Sequence, residues 1–170
     1  MHGMRFASMV GTLMLAGCAS YGTGGLSAGM AQDEVIRSMG TPTGRYDLGD
    51  GRARLEYARG PAGRHTYMVD VDAQGRVQRW AQVLDEPHFK QVAQGMRSDE
   101  LLRLLGRPAE QAGGGLRGGQ TWSWRYPTND CLWFQVSLND DGRVREPGGY
   151  AADPSCQVAA GDIATPGIDY

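Results

Sequence analysis

The 170-residue sequence predicts an α+β fold: tandem α-α-β-β-β units, an antiparallel sheet with helices packed on one face. Three observations carry that expectation. A helix-like clause is written twice, "GMAQDEVIRSMGTP" from Gly29 and "GMRSDELLRLLGRP" from Gly95, at an offset of 66 residues. Each copy is followed by stretches in which apolar and polar residues alternate, the period of a half-buried strand. The echo then continues: "YMVDVDAQGRV" from Tyr67 answers "FQVSLNDDGRV" from Phe134 at an offset of 67, and "LEY" (55–57) answers "WRY" (124–126) at 69. Self-similarity over such a span marks a repeated supersecondary unit.

The chain opens with a segment that is not part of that fold. Arg5 precedes the apolar run "FASMVGTLMLAG" from Phe6 to Gly17. A bilayer span needs about 20 residues, so this run reads as the h-region of a signal peptide over residues 1–17. It ends in "LAGC", Leu15 to Cys18, which looks like a bacterial lipobox, with Cys18 as the acylated first residue of the mature chain. The alternative is a plain secretory signal with a chance cysteine. Ala19 follows Cys18, and in the lipoproteins this resembles, that implies sorting to the outer membrane. Several acyl chains on one cysteine hold a protein on a membrane essentially permanently. Residues 18–28, rich in Gly and Ser, read as a flexible tether.

The first repeat covers 29–85 and the second 86–150. In the second, "EPHFKQVAQ" (86–94) reads as a helix with Phe89 and Val92 on one face and Gly95 as its C-terminal cap. Ser98 reads as the N-cap of the next helix, with Asp99 and Glu100 in the first turn, where the helix dipole favours negative charge. Leu101, Leu104 and Leu105 form its apolar stripe, and Gly106 and Pro108 stop it. The first repeat has the matching helix over 32–39, with Val35, Ile36 and Met39. Its other helix is degenerate, with Leu26 in place of Val92. Strands then follow: Leu55 and Tyr57, Tyr67 to Val71 and "RVQRWAQVL" (76–84) in one copy; Trp122 to Tyr126, Phe134 to Leu138 and "RVRE" (143–146) in the other. "DAQG" and "NDDG" read as hairpin turns.

Residues 151–170 read as a tail pinned by Cys156. In an oxidising periplasm disulfides persist, and a Cys131–Cys156 bridge would stabilise by roughly 3 kcal/mol in the chain-entropy model. Two free thiols or a metal pair are the alternatives, although neither cysteine has His or Cys neighbours at ligand spacing. The formal charge is −2, and Lys90 is the single lysine. The arginines are scattered, so nucleic-acid binding lacks its electrostatic footprint.

The "GM…DE(V/L)…(M/L)G.P" helix, the strand ending in tyrosine and the "D..G.V" hairpin, downstream of a lipobox cysteine, resemble the SmpA/OmlA (BamE-like) lipoprotein family. The resemblance implies a non-enzymatic protein at the inner leaflet of the outer membrane, an accessory of the machinery that folds barrel proteins. That family carries one such unit where this chain carries two. As a tandem, the chain looks like the secreted β-lactamase inhibitor proteins, which bind a target on the concave face of one continuous sheet.

No stretch of the sequence assembles a recognisable chemical site. "GGGLRG" (113–118) spells a dinucleotide fingerprint, but a strand follows it and no helix does. "DVDAQG" (70–75) suggests a calcium loop, yet Ala81 stands where the closing glutamate belongs. His65 reads as an exposed strand residue and His88 as a helix residue, with no nucleophile–His–acid set around either. No catalytic residue, metal site or cofactor is expected.

What is left is a surface. Strand parity sets Met68, Asp70, Arg125, Trp133 and Gln135 on the sheet face away from the helices, with Glu56 beside them. Trp80 is assigned to the same face, opposite in parity to Val77, Ala81 and Val83. Tryptophan, methionine and arginine together have the composition that protein interfaces favour; the alternative is that Trp80 and Trp133 pack under loops. Two functions follow: a lipid-anchored accessory touching an envelope protein, or a periplasmic inhibitor or ligand-binding module using the concave sheet.

Overall fold

The computed structural model describes Thr23 and residues 25–60, 63–113, 115 and 118–156. The signal segment and Cys18 lie outside the described residues. The chain runs α1 (Gln32–Met39), β1 (Gly44–Gly49), β2 (Arg52–Arg59), β3 (His65–Val71), β4 (Val77–Gln82), α2 (Glu86–Phe89), α3 (Ser98–Leu105), β5 (Glu110–Gly113), β6 (Gln120–Arg125), β7 (Leu132–Leu138) and β8 (Gly149–Ala152). β1 to β4 form one antiparallel sheet and β5 to β8 another, each in sequence order.

This overturns the expected fold class. The protein is mostly antiparallel sheet, two separate four-stranded sheets with short helices, in place of α-α-β-β-β units whose helices share one face. The fourth strands were hidden for a physical reason. β1, with half-buried and exposed residues in alternation, and β5, exposed along its length, are edge strands with little apolar signal. The "RVRE" segment is not a strand; Val144 makes an isolated bridge to Leu138, and the chain returns as β8 to pair with β7. α2 covers 4 residues where a longer helix was expected.

The register also corrects the repeat. Leu55 pairs with Val69 and Trp122 with Val136, and Tyr57 pairs with Tyr67 as Trp124 does with Phe134. Leu55 is therefore the counterpart of Trp122, and the strand offset is 67 throughout, not 69 for "LEY" and "WRY". Helix starts are alike in both copies: Glu34 reaches back to the Ala31 N–H at 3.0 Å, and Glu100 to the Arg97 N–H at 2.7 Å. Reach-back by a glutamate at the third helical position is half of a capping box. Ser98 is inside α3 and does not cap it.

Two apolar cores result. Val35 and Met39 of α1 pack on Leu55, Tyr57, Val69, Val71 and Val77. Leu26 joins them, so the end of the expected 18–28 tether is fixed, with the Gly29 N–H on the Val77 carbonyl at 2.7 Å. The second core gathers Leu101 and Leu105 of α3, Phe89 of α2, and Trp124, Phe134 and Val136 of the second sheet. Met68 and Val83 belong to it as well, although they come from the first unit. The layers therefore run α1, first sheet, α2 and α3, second sheet. Fully burying a side chain of this size contributes about 1.5–3 kcal/mol, so the shared core binds the two units into one body.

Candidate functional site

The face of the first sheet assigned to partner binding is closed. Glu56 is 0 % exposed, Met68 3 % and Asp70 7 %, because the C-terminal end of α3 sits on them. One row across three strands, Arg54, Asp70 and Arg79, stands in direct register. Arg54 grips Asp70 with Nε to Oδ1 at 2.6 Å and Nη2 to Oδ2 at 2.8 Å, and donates Nη1 to the Arg103 carbonyl at 2.7 Å. That last bond satisfies a carbonyl in the final turn of α3, where a cation also meets the negative end of the helix dipole. Arg79 donates Nε to Asp70 Oδ2 at 2.6 Å. Burial opposes the charge of Asp70, but the hydrogen bonds from Arg54 and Arg79 outweigh it and hold the carboxyl below its ordinary range. Glu56 accepts from the Tyr46 hydroxyl and from the Arg107 N–H. Burial, then the hydrogen bond to Glu56, pushes the Tyr46 phenol up.

Trp80 is on the other face. Asp70 pairs with Arg79 but Val71 with Val77, so Gln78 is an extra residue, a β-bulge that reverses the alternation. Trp80 stands opposite Val69 and packs on the α1 core. It still borders, with Met68 and Asp70, a cavity of about 290 Å³ at the β4 edge, whose far wall is His88, Gln91 and Leu104. His88 Nδ1 lies 2.5 Å from Asp85 Oδ1.

Arg125, Trp133 and Gln135 come together elsewhere, on the outer face of the second sheet. Arg125 lies opposite Trp133 in register, its guanidinium carbon 5.3 Å from the ring centroid, within cation–π reach. The same guanidinium forks onto Asp153, with Nε at 2.6 Å and Nη2 at 3.0 Å. The Arg125 hydrogen bond, aided by Ser155, holds Asp153 at about 2 against its own burial. Gln135 donates Nε2 to Ser123 Oγ at 3.0 Å. Trp133 is 5 % exposed yet belongs to neither apolar core, and its buried indole Nε1 has no hydrogen-bond partner among the described residues.

The two cysteines meet at the rim of this face. The Asp153 N–H donates to the Cys131 carbonyl at 2.8 Å, and the Cys156 N–H to the Asp153 carbonyl at 3.1 Å. Both side chains are thiols here, and the hydrogen bond with Cys131 is the first cause raising the Cys156 thiol. His65 is half-buried, not exposed, and its Nδ1 has no partner among the described residues. The side chain of Asp72 caps the hairpin turn by accepting from the Gln74 and Arg76 N–H groups. Among the described residues no group of three or more His, Cys, Asp or Glu side chains could hold a metal ion.

Sequence reasoning missed Arg54, Arg79 and Asp153. The first two were within reach: once β2, β3 and β4 are aligned, both arginines flank Asp70. Asp153 carried no periodic signal.

No protein-family model matches this chain, the SmpA/OmlA family included, and no curated protein matches it. Among solved structures it is similar to a candidate beta-lactamase inhibitor protein from Streptococcus mutans, at 10 % identity and a TM-score of 0.32, over 76 % of this chain and 87 % of that one. An extracellular protein containing an SCP domain from Bacillus anthracis gives 11 % and 0.30, over 88 % of this chain and 52 % of that one. A cysteine-rich secretory protein from Staphylococcus aureus gives 11 % and 0.26, over 75 % and 44 %. This chain thus spans about half the length of the last two. Likeness at this level carries no function across.

Proposed function

We propose that the chain is a non-enzymatic outer-membrane lipoprotein, anchored through Cys18 and facing the periplasm, that binds a protein of the cell envelope through the outer face of its second sheet. One observation supports this most. The first sheet has its corresponding face closed by α3, whereas the second sheet's outer face meets neither apolar core and still encloses Trp133, whose indole N–H is unpaired among the described residues. A buried donor without an acceptor costs about 1–3 kcal/mol, a cost that a partner bringing an acceptor beneath Arg125 would remove. A barrel-assembly component is the partner that the motif resemblance suggests.

A photo-crosslinking residue at Gln135 in the native envelope tests the face. A discrete adduct with one envelope protein is expected, and a ladder no different from that of a crosslinker at exposed Arg37 defeats the reading. The anchor has its own test, since Cys18→Ser should move the protein from the membrane to the soluble fraction. A second reading, a periplasmic inhibitor or ligand-binding module, is favoured by the cavity beside Asp70. Co-purification of a soluble enzyme, in place of membrane components, would select it.

A further inference from the structure

We infer that the cavity between the β4 edge and α2–α3 is a binding site for a small organic carboxylate bearing an apolar tail. The inference rests neither on the lipid anchor nor on the outer face of the second sheet. The cavity, about 290 Å³, lies at the lower end of the range that ligand sites occupy, which suits a ligand of one charged head and one short chain. Its surface is divided. Met68 and Val83, both 3 % exposed, and Leu104 supply an apolar wall, while Arg54, Asp70 and Arg79 supply the polar one.

Charge and hydrogen-bond accounting point to an anion. Two arginines share the single carboxylate of Asp70, so the row carries a surplus positive charge. Arg54 is committed, with Nε and Nη2 on Asp70 and Nη1 on the Arg103 carbonyl. Arg79 gives Asp70 only its Nε, and its two Nη groups have no partner among the described residues. Those Nη groups are a planar fork of the kind that carboxylates bind bidentately. His88 and Gln91 also line the cavity, with His88 Nδ1 taken by Asp85 and Gln91 Nε2 by the Pro87 carbonyl. Asp99 also holds two arginines, Arg97 and Arg103, but none of the three lines this cavity. The Asp70 row thus joins surplus charge to a partly apolar hollow.

A tail makes the difference between this ligand and a bare anion. Acetate and inorganic phosphate could meet Arg79, but only a carboxylate with a short hydrocarbon chain also covers Met68, Val83 and Leu104. Arg79 is 74 % exposed at its side chain, so it can turn to a ligand without unpacking the core.

Calorimetric titration of the full chain with hexanoate tests the site. Saturable binding is expected, with acetate and hexanamide each weaker by about tenfold or more, since a charge-assisted bond and a buried chain each contribute on that scale. Arg79→Gln, at an exposed position, should weaken hexanoate about tenfold or more while circular dichroism is unchanged. Ala81→Leu, which narrows the cavity without touching a charge, should abolish it. Absence of saturable hexanoate binding overturns the inference. So does binding that both variants leave unaltered, which would mark partition into a surface unrelated to the cavity. A result of either kind leaves the crosslink at Gln135 untouched, so the two readings fail separately.

Discussion

Glu56, Met68 and Asp70 on the covered face of the first sheet correspond in register to Ser123, Gln135 and Ser137 on the outer face of the second. The first set, two of its members charged, is buried throughout, whereas the second is neutral and only its Ser123 is buried. Ordinary expectation runs the other way, because charges almost never go fully inside unless paired. Here they are paired: Asp70 by two arginines, Glu56 by Tyr46 and the Arg107 N–H. Their role is to receive a polar object, the end of α3, whose last carbonyls and following N–H groups need partners. The outer face, with no helix end to receive, manages with Ser, Gln and a tryptophan shielded by Arg125. Charge in a strand therefore need not announce solvent.

The strongest way to break this comparison is to empty one site on each face. Asp70→Ala leaves Arg54 buried without its anion and should cost about 3–5 kcal/mol in urea unfolding, whereas Ser137→Ala should stay within about 0.5 kcal/mol. Equal losses would mean that the covered row is not a structural clamp. Next in size is the rim of the outer face. Under mild oxidation Cys131 and Cys156 should join, with a mass loss of two hydrogens and a gain of roughly 3 kcal/mol; persistence of both thiols after oxidant treatment refutes the pairing.

Acid sharpens the same contrast. Asp153, held at about 2 by Arg125, has a folded pKa below its ordinary value of about 3.9, so it contributes stability above that value and loses it as pH falls from about 4 towards 2. The loss should be about 2–3 kcal/mol, and Arg125→Gln should flatten that part of the stability–pH curve. An unchanged curve in the variant would place the acid sensitivity elsewhere. The smallest effect concerns matched helix ends. Gly40 and Gly106 both cap helices with positive φ, 81° and 78°, so alanine at either strains the backbone by about 1–2 kcal/mol. A Cβ at Gly40 meets nothing within 4 Å, but at Gly106 it would lie 3.0 Å from Glu56 Cδ and from Thr66 Cγ2. Gly106→Ala should thus exceed Gly40→Ala by about 1 kcal/mol or more in thermal unfolding, and parity between them would argue that α3 does not bear on the first sheet.

Much of each unit was legible in the sequence, because α1, α3 and the central strands write their burial as 3.6- and 2-residue periods: Val35 and Met39, Leu101 and Leu105, Val69 and Val71 are core residues as read. The edge strands were not, since β5 buries none of its residues and so writes no period. Trp80 was misplaced by a single inserted residue, Gln78, which parity counting cannot detect without a register. The stacking of the second unit on the first left no local mark at all. Leu104 looked like an ordinary member of the α3 stripe, and only the fold shows that it borders the Met68 cavity.

That leucine has a further consequence. Its counterpart in α1 is Ser38, exposed and bonded through its hydroxyl to the Val35 carbonyl at 3.0 Å. The leading half thus has a wettable back and a trailing surface that demands cover, while the following half has the apolar back that provides it. The duplication is polar in the sense of an arrow: exchanging the order of the halves would present Ser38 to Gln135 and leave both Leu104 and Met68 to water.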